Sequence, residues 1–113
     1  MIPPLGPLPG TLELLVLRTL GRGSEMHGFE ILEWIRASTD GELLVEDGAL
    51  YHALHRMEAR GWLDSDWGVS DKGRRAKYYR LLPDGRRALA EEERRWSRYV
   101  EAVSKLSAHT SKA

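Results

Sequence analysis

The sequence predicts a mainly α fold with a small β-hairpin wing: a winged helix-turn-helix continued by a C-terminal helix suited to dimerisation. Three observations predict it. Residues 47–61 (DGALYHALHRMEARG) carry a helical repeat of apolar residues beneath a polar outer face. The stretch that follows, to Leu81, reads as two strands around a basic turn punctuated by glycines. The final stretch spaces Leu89, Trp96 and Val103 seven residues apart, as helices that pair with other helices do.

Taken in order, residues 1–10 hold Pro3, Pro4, Pro7 and Pro9 and predict an extended arm. Residues 11–82 form the winged helix-turn-helix, residues 83–108 the dimerisation helix, and residues 109–113 a disordered tail. The first helix spans Leu12 to Leu20, with Thr11 as its N-cap and Gly21 and Gly23 ending it. Leu12, Leu15, Val16 and Leu20 make one apolar face, while Leu14 and Leu17 lie nearly opposite. A helix apolar on two sides needs cover on two sides, and a partner subunit is expected to supply the second. The second helix is expected from about His27 to Ala37, with Ile31, Leu32 and Ile35 inward and Gly28 allowing close packing. Ser38 to Glu42 reads as a turn, and Leu43-Leu44-Val45 as a short strand joining the hairpin.

Asp47 is the expected cap of the third helix, and Gly61 its left-handed stop. At 100° per residue, Leu50, Ala53, Leu54 and Met57 share one face. Gly48, His52, His55, Arg56 and Ala59 share the other. Such an outer face suits a major groove, where Arg and His reach base edges or phosphates. The hairpin is expected from Trp62 to Trp67 and from Ala76 to Leu81, with Lys72, Arg74, Arg75 and Lys77 at its tip and return strand. Pro83, at a first helical turn, opens the last helix. Tyr99 and Leu106 fall three residues beyond Trp96 and Val103 and widen the seam.

At 113 residues, 42% hydrophobic and 30% charged, the chain is sized for one folded domain with a modest core. The formal charge of zero argues against a uniformly basic nucleic-acid binder. Its distribution says more. Residues 1–50 hold three Lys/Arg against eight Asp/Glu, residues 51–80 seven against four, and residues 81–113 seven against five. Positive charge is thus gathered in the third helix and hairpin, diluted by Asp64, Asp66 and Asp71. The absence of cysteine excludes disulfides, thiol nucleophiles and thiolate metal sites. No signal-peptide pattern or membrane-length apolar run stands out, so a cytoplasmic protein without a membrane partner is expected.

No nucleophile–base–orienter set and no phosphate-cradling glycine loop appears, and no enzyme activity is expected. His52 and His55 lie three apart on a helix but lack a third ligand, so neither a metal nor a cofactor is expected. Two function classes remain. One is a duplex-DNA-binding regulator; the other is a winged-helix module that uses the same face against a protein.

The chain resembles the PadR family of bacterial transcriptional regulators. The resemblance rests on His27-Gly28-Phe29-Glu30-Ile31, on Gly48 to Glu58 with Gly61, on Gly73 to Leu81, on Pro83 to Leu89, and on Trp96. These blocks follow the family's order and spacing over about nine-tenths of the chain. The departures are Ala49, where a Thr or Ser hydroxyl is usual, His52 in place of a common Pro, Phe29 for a frequent Tyr, and Leu82 for the Thr preceding Pro83. The resemblance implies a homodimeric repressor that occludes promoter DNA at an inverted repeat. His52, His55 and Arg56 are the candidate groove contacts, with Tyr51 reaching a phosphate and Lys72, Arg74, Arg75 and Lys77 tracking backbone or minor groove. Leu14, Leu17, Leu89, Trp96, Tyr99, Val103 and Leu106 are the candidate dimer interface. The resemblance further implies a planar aromatic effector held between dimerising helices, near Trp96 and Tyr99; the alternative is that Trp96 fills the seam as core.

Overall fold

The computed structural model describes residues 3–110. Four helices and three strands follow in the order α1 (Leu12–Leu20), β1 (Met26–His27), α2 (Gly28–Ser38), α3 (Asp47–Ala59), β2 (Leu63–Val69), β3 (Arg75–Leu81) and α4 (Pro83–Thr110). The fold is mainly helical, with one antiparallel sheet ordered β1-β3-β2. This is the winged helix-turn-helix with a long C-terminal helix that the periodicities predict.

The core forms where the apolar stripes of α1, α2 and α3 meet the base of the hairpin. Val16, Leu17, Ile31, Leu50, Ala53, Leu54 and Met57 are all fully buried, joined by Leu63 and Tyr79 from the sheet. Each large aliphatic side chain so buried contributes about 1.5–3 kcal/mol relative to exposure. That anchorage leaves the opposite face of α3 free to meet a partner. Gly61, at φ +76°, ends α3 in the left-handed conformation expected of it.

Several local expectations are corrected. Leu14 and Leu17 are covered by their own chain, at 5% and 0% exposure. The first half of α4 folds back across α1, with Ala88 entering the core and Leu89 packing against it beside Gly21. Arg18 and Glu93 join the two helices by an ion pair of 2.9 Å. Leu14 and Leu17 therefore leave the proposed dimer surface, and Leu89 is largely committed within the chain.

The third strand is β1, whose Met26 and His27 pair with Tyr79 and Tyr78, and not Leu43-Leu44-Val45. Leu43 is instead bridged in parallel to Leu5 of the arm. The Leu5 N–H donates to the Glu42 carbonyl (2.8 Å), and the Leu5 carbonyl accepts from the Leu44 N–H (2.9 Å). From Pro3 to Leu8 the arm is thus extended, in keeping with its prolines, and fastened to the segment leading into α3; it turns at Pro9-Gly10, and its first two residues lie outside the described residues.

Neither predicted N-cap bonds its helix through its side chain. Thr11 turns its hydroxyl back to the Leu8 carbonyl (2.7 Å), and Asp47 is already the first residue of α3, preceded by Glu46. α2 carries the side-chain cap instead. The Glu30 N–H donates to His27 Nδ1 (3.3 Å), and the His27 N–H donates to Glu30 Oε1 (3.0 Å). At the other end of the chain, α4 continues through His109 and Thr110, where a frayed tail is expected; the rest of that tail, 111–113, lies outside the described residues.

Candidate nucleic-acid interface

The outer face of α3 is presented as its periodicity predicts. Gly48, His52, His55, Arg56 and Ala59 are all exposed, opposite the four buried positions, and Tyr51 is exposed on the flank. Tyr51 does more than flank this face. Its ring lies over Gly28 so closely that a Cβ there would fall 2.5 Å from the tyrosine oxygen. The α2–α3 crossing is therefore set by a side chain of one helix resting on the bare backbone of the other. Arg56 is less free than the sequence suggests. Glu13 of α1 holds Arg60 at 3.1 Å and Arg56 at 3.6 Å through one carboxylate oxygen.

The hairpin register assigns each wing residue a side. Directly opposed residues of antiparallel strands project the same way. Ser65↔Tyr79, Trp67↔Lys77 and Val69↔Arg75 therefore share the face that continues from the core past α3. Asp64↔Arg80, Asp66↔Tyr78 and Gly68↔Ala76 share the other. On that second face Arg80 is surrounded by Glu25 (2.7 Å), Asp64 (2.8 Å) and Asp66 (2.9 Å). These bonds, Asp66 foremost, raise the guanidinium's pKa still further above its usual range. The Asp64 carboxyl is lowered below the ordinary aspartate value, first by the Ser65 N–H and then by Arg80. Asp64 and Asp66, two of the acids expected to dilute the wing's charge, are thus turned to its far side and held by Arg80, whereas Asp71 stays in the tip loop and lines the groove.

On the first face Glu58 ties α3 to both strands, accepting from the Ser65 hydroxyl (2.7 Å) and pairing with Lys77 (3.5 Å). Lys77 braces the wing against α3. At the tip, Gly73 adopts φ +75° and its N–H closes on the Ser70 carbonyl (2.8 Å). The loop is shorter than the sequence suggests, because pairing extends to Val69 and Arg75. Between the wing and the start of α2 runs a groove of about 720 Å³, lined by Phe29, Tyr51, Trp67, Lys72 and Arg75 among others. Sequence reasoning missed Phe29, Trp67, Glu58 and Glu13. For Trp67 a signal was present: it alternates with Leu63 and Val69 on one strand face, beyond the point where the core ends.

The candidate effector residues are brought together. The Trp96 and Tyr99 rings stack at 6.4 Å beside a cleft of about 390 Å³ that is also lined by Leu8 and Leu14. From Ser97 to His109 every residue of α4 is exposed, including Tyr99 (63%), Val103 (44%) and Leu106 (68%). Among the described residues no group of three or more His, Asp or Glu side chains is arranged to hold a metal. No helix among them is long and apolar enough to cross a membrane.

Residues 16–91 match the model of the transcriptional regulator PadR-like family. The chain belongs to that family. This PadR-like protein is 42% identical over 67 residues to the transcriptional regulator Rv3488 of Mycobacterium tuberculosis, covering 59% of this chain and 62% of the relative. A solved transcriptional regulator from Clostridium thermocellum superposes with a TM-score of 0.77 at 28% identity, over 85% of this chain and 92% of that one. A PadR family transcription regulator from Clostridium difficile does so with a TM-score of 0.68 at 30% identity, over 83% and 94%. The resemblance carried by the sequence blocks is confirmed, as are the fold class and membership of a transcription-regulator family.

Proposed function

We propose that this PadR-like protein is a homodimeric repressor that works in the cytoplasm by covering promoter DNA. The observation that carries the reading is an exposed polar α3 face beside a basic wing, with Tyr51 of that face lining the groove that the wing tip forms with the start of α2. Gly48, Tyr51, His52 and His55, toward the N-terminal part of α3, meet the major groove, as the leading residues of recognition helices do. Lys72, Arg74 and Arg75 follow the adjoining backbone or minor groove, while Arg56 joins the contact when phosphate displaces Glu13.

Dimerisation is supported by the exposed continuation of α4. Tyr99, Val100 and Val103 are apolar or aromatic side chains on a helix that has left its own domain, and such a stripe is stable in water when a second helix covers it. Trp96 and Leu106 complete the seam. The operator is then an inverted repeat whose half-sites lie about 10 bp apart, one turn of duplex. A planar aromatic compound entering beside Trp96 and Tyr99 changes the angle between the α4 helices and so lowers operator affinity.

Selection of duplexes from a random pool, followed by titration at two salt concentrations, tests the reading. Enrichment of an inverted repeat bound with 2:1 stoichiometry is expected, with log K falling as log salt rises. Lack of duplex binding even at low salt overturns it in favour of a protein-interaction module. In sedimentation, Val103→Glu is expected to give monomers with weakened operator binding.

A further inference from the structure

Among the described residues, many cations are held in one of two ways. Arg18, Arg36, Arg56, Arg60, Arg80, Arg87 and Arg95 each pair with a carboxylate, so their charge is balanced where it stands. Arg22, 3.5 Å from the centre of the Trp34 ring, and two cations of the wing are held against aromatic rings instead. Lys72 Nζ lies 5.9 Å from the centre of the Phe29 ring, and the Arg75 guanidinium lies 4.5 Å from the centre of Trp67. Among the described residues neither cation has a carboxylate within ion-pair distance. An aromatic face attracts a cation through its quadrupole but brings no negative charge, so it orients the group without cancelling it.

The hairpin register explains how Arg75 is aimed. Val69 is its direct cross-strand partner, and Trp67 is the diagonal neighbour on the same face. Both are far from buried: Trp67 is 61% exposed and Val69 68%. The guanidinium therefore rises from an apolar bed at the end of the wing. A phosphate contact makes no use of that bed, because it meets charge alone. A minor groove does use it, since its walls are the C–H faces of deoxyribose and its floor carries enhanced negative potential where A·T tracts narrow it.

We propose that Trp67 is a positioning residue that holds Arg75 for insertion into the minor groove, and that the pair reads groove width on the flank of each half-site. The inference rests on the DNA-binding reading above and adds to it a specificity that α3 does not supply. Trp67 acts through orientation of Arg75. Its loss therefore changes which flanks are preferred while leaving the count of neutralised phosphates alone.

The test uses the full-length protein and the duplex recovered by random-pool selection, resynthesised with either A·T-tract or alternating G·C flanks outside unchanged half-sites. The wild-type protein is expected to favour the A·T-tract flanks by about tenfold, in the range of one good base-level discrimination. Trp67→Ala is expected to reduce that preference to less than about twofold with the salt slope unchanged, and Trp67→Tyr to restore most of it. Arg75→Lys keeps the charge but loses the planar stack, and should behave like Trp67→Ala. Arg75→Ala should lower the slope by about one as well. A wild-type protein that binds the operator with no flank preference overturns the proposal and leaves the DNA reading intact. Equal weakening on both flanks in Trp67→Ala and Arg75→Lys also overturns it, making Trp67 a strut for the wing. Failure of the wild-type protein to bind any duplex removes the underlying reading, and this proposal with it.

Discussion

Gly85 decides how α4 leaves the domain, and replacing it by alanine should show this. The residue is buried in the first turn of α4, where that turn passes over the segment joining α3 to the wing. A Cβ there would lie 2.2 Å from the Trp62 carbonyl oxygen and 2.7 Å from Leu81 Cδ1. Close carbon–oxygen contacts settle at about 3.3 Å, so the helix start must retreat by roughly 1 Å. The Trp62 carbonyl cannot yield easily, because it accepts the Leu82 N–H at 2.9 Å. Overpacking against backbone costs about 3 kcal/mol, near the upper end of what such insertions usually cost. Replacing a helical glycine returns about 1 kcal/mol of conformational entropy. The net of about 2 kcal/mol should lower Tm by roughly 6–12 °C for a chain of this size. Circular-dichroism melting at one fixed protein concentration measures it, since dimer formation would otherwise move Tm by mass action. A Gly85→Ala protein that melts with the wild type, or above it, refutes the steric argument and means that α4 approaches the hairpin differently.

Three further predictions follow from other contacts. Gly28→Ala meets the half-exposed Tyr51 ring and not backbone, so a melting loss smaller than that of Gly85→Ala is expected, with a larger drop in duplex affinity as α3 turns; unchanged affinity would detach Tyr51 from recognition. Glu13→Gln should release Arg56 and Arg60, strengthen binding to random duplex and steepen its salt slope by up to about two, with little change in Tm because the pairs are surface ones. An unchanged slope would place both arginines outside the interface. Because the Asp64 carboxyl is held below its ordinary value, it adds stability above the unfolded aspartate pKa, and this is lost as pH falls through the folded one. Asp64→Asn should therefore lose less stability between neutral pH and strong acid than the wild type, as read by melting across a pH series; parallel curves would show that Asp64 contributes nothing.

What was legible in the sequence is what one element decides alone. Leu50, Ala53, Leu54 and Met57 repeat at the helical period, and their burial follows from that repeat wherever the rest of the core lies. Gly61 and Gly73 stop and turn the chain for reasons internal to their own dihedral angles. What one element cannot decide is its partner. The second apolar face of α1 does need cover, yet Leu14 and Leu17 find it within their own chain, where the start of α4 folds back across α1 before the helix projects. Leu43-Leu44-Val45 has strand composition, but Met26 and His27 occupy the other edge of β3, and Leu43 is bridged to the arm. A short apolar run declares that it wants a neighbour without declaring which.

The same distinction governs the charge. A net charge of zero, counted over the chain, says little about a nucleic-acid surface. What matters is which cations are left without an anion once the chain has folded, and that depends on contacts far apart in sequence. Glu25 reaches Arg80 across 55 residues, and Glu13 reaches Arg60 across 47. Asp64 and Asp66, spaced two apart on a strand, fall on one face with Arg80, which turns both acids away from the wing face bearing Arg75 and Lys77. Had β2 slipped by one residue against β3, Asp64 and Asp66 would have changed sides. The wing would then have presented its carboxylates toward α3. The basic character of the tip is therefore a property of strand register, set in turn by Leu63 and Leu81 pairing at the base of the hairpin.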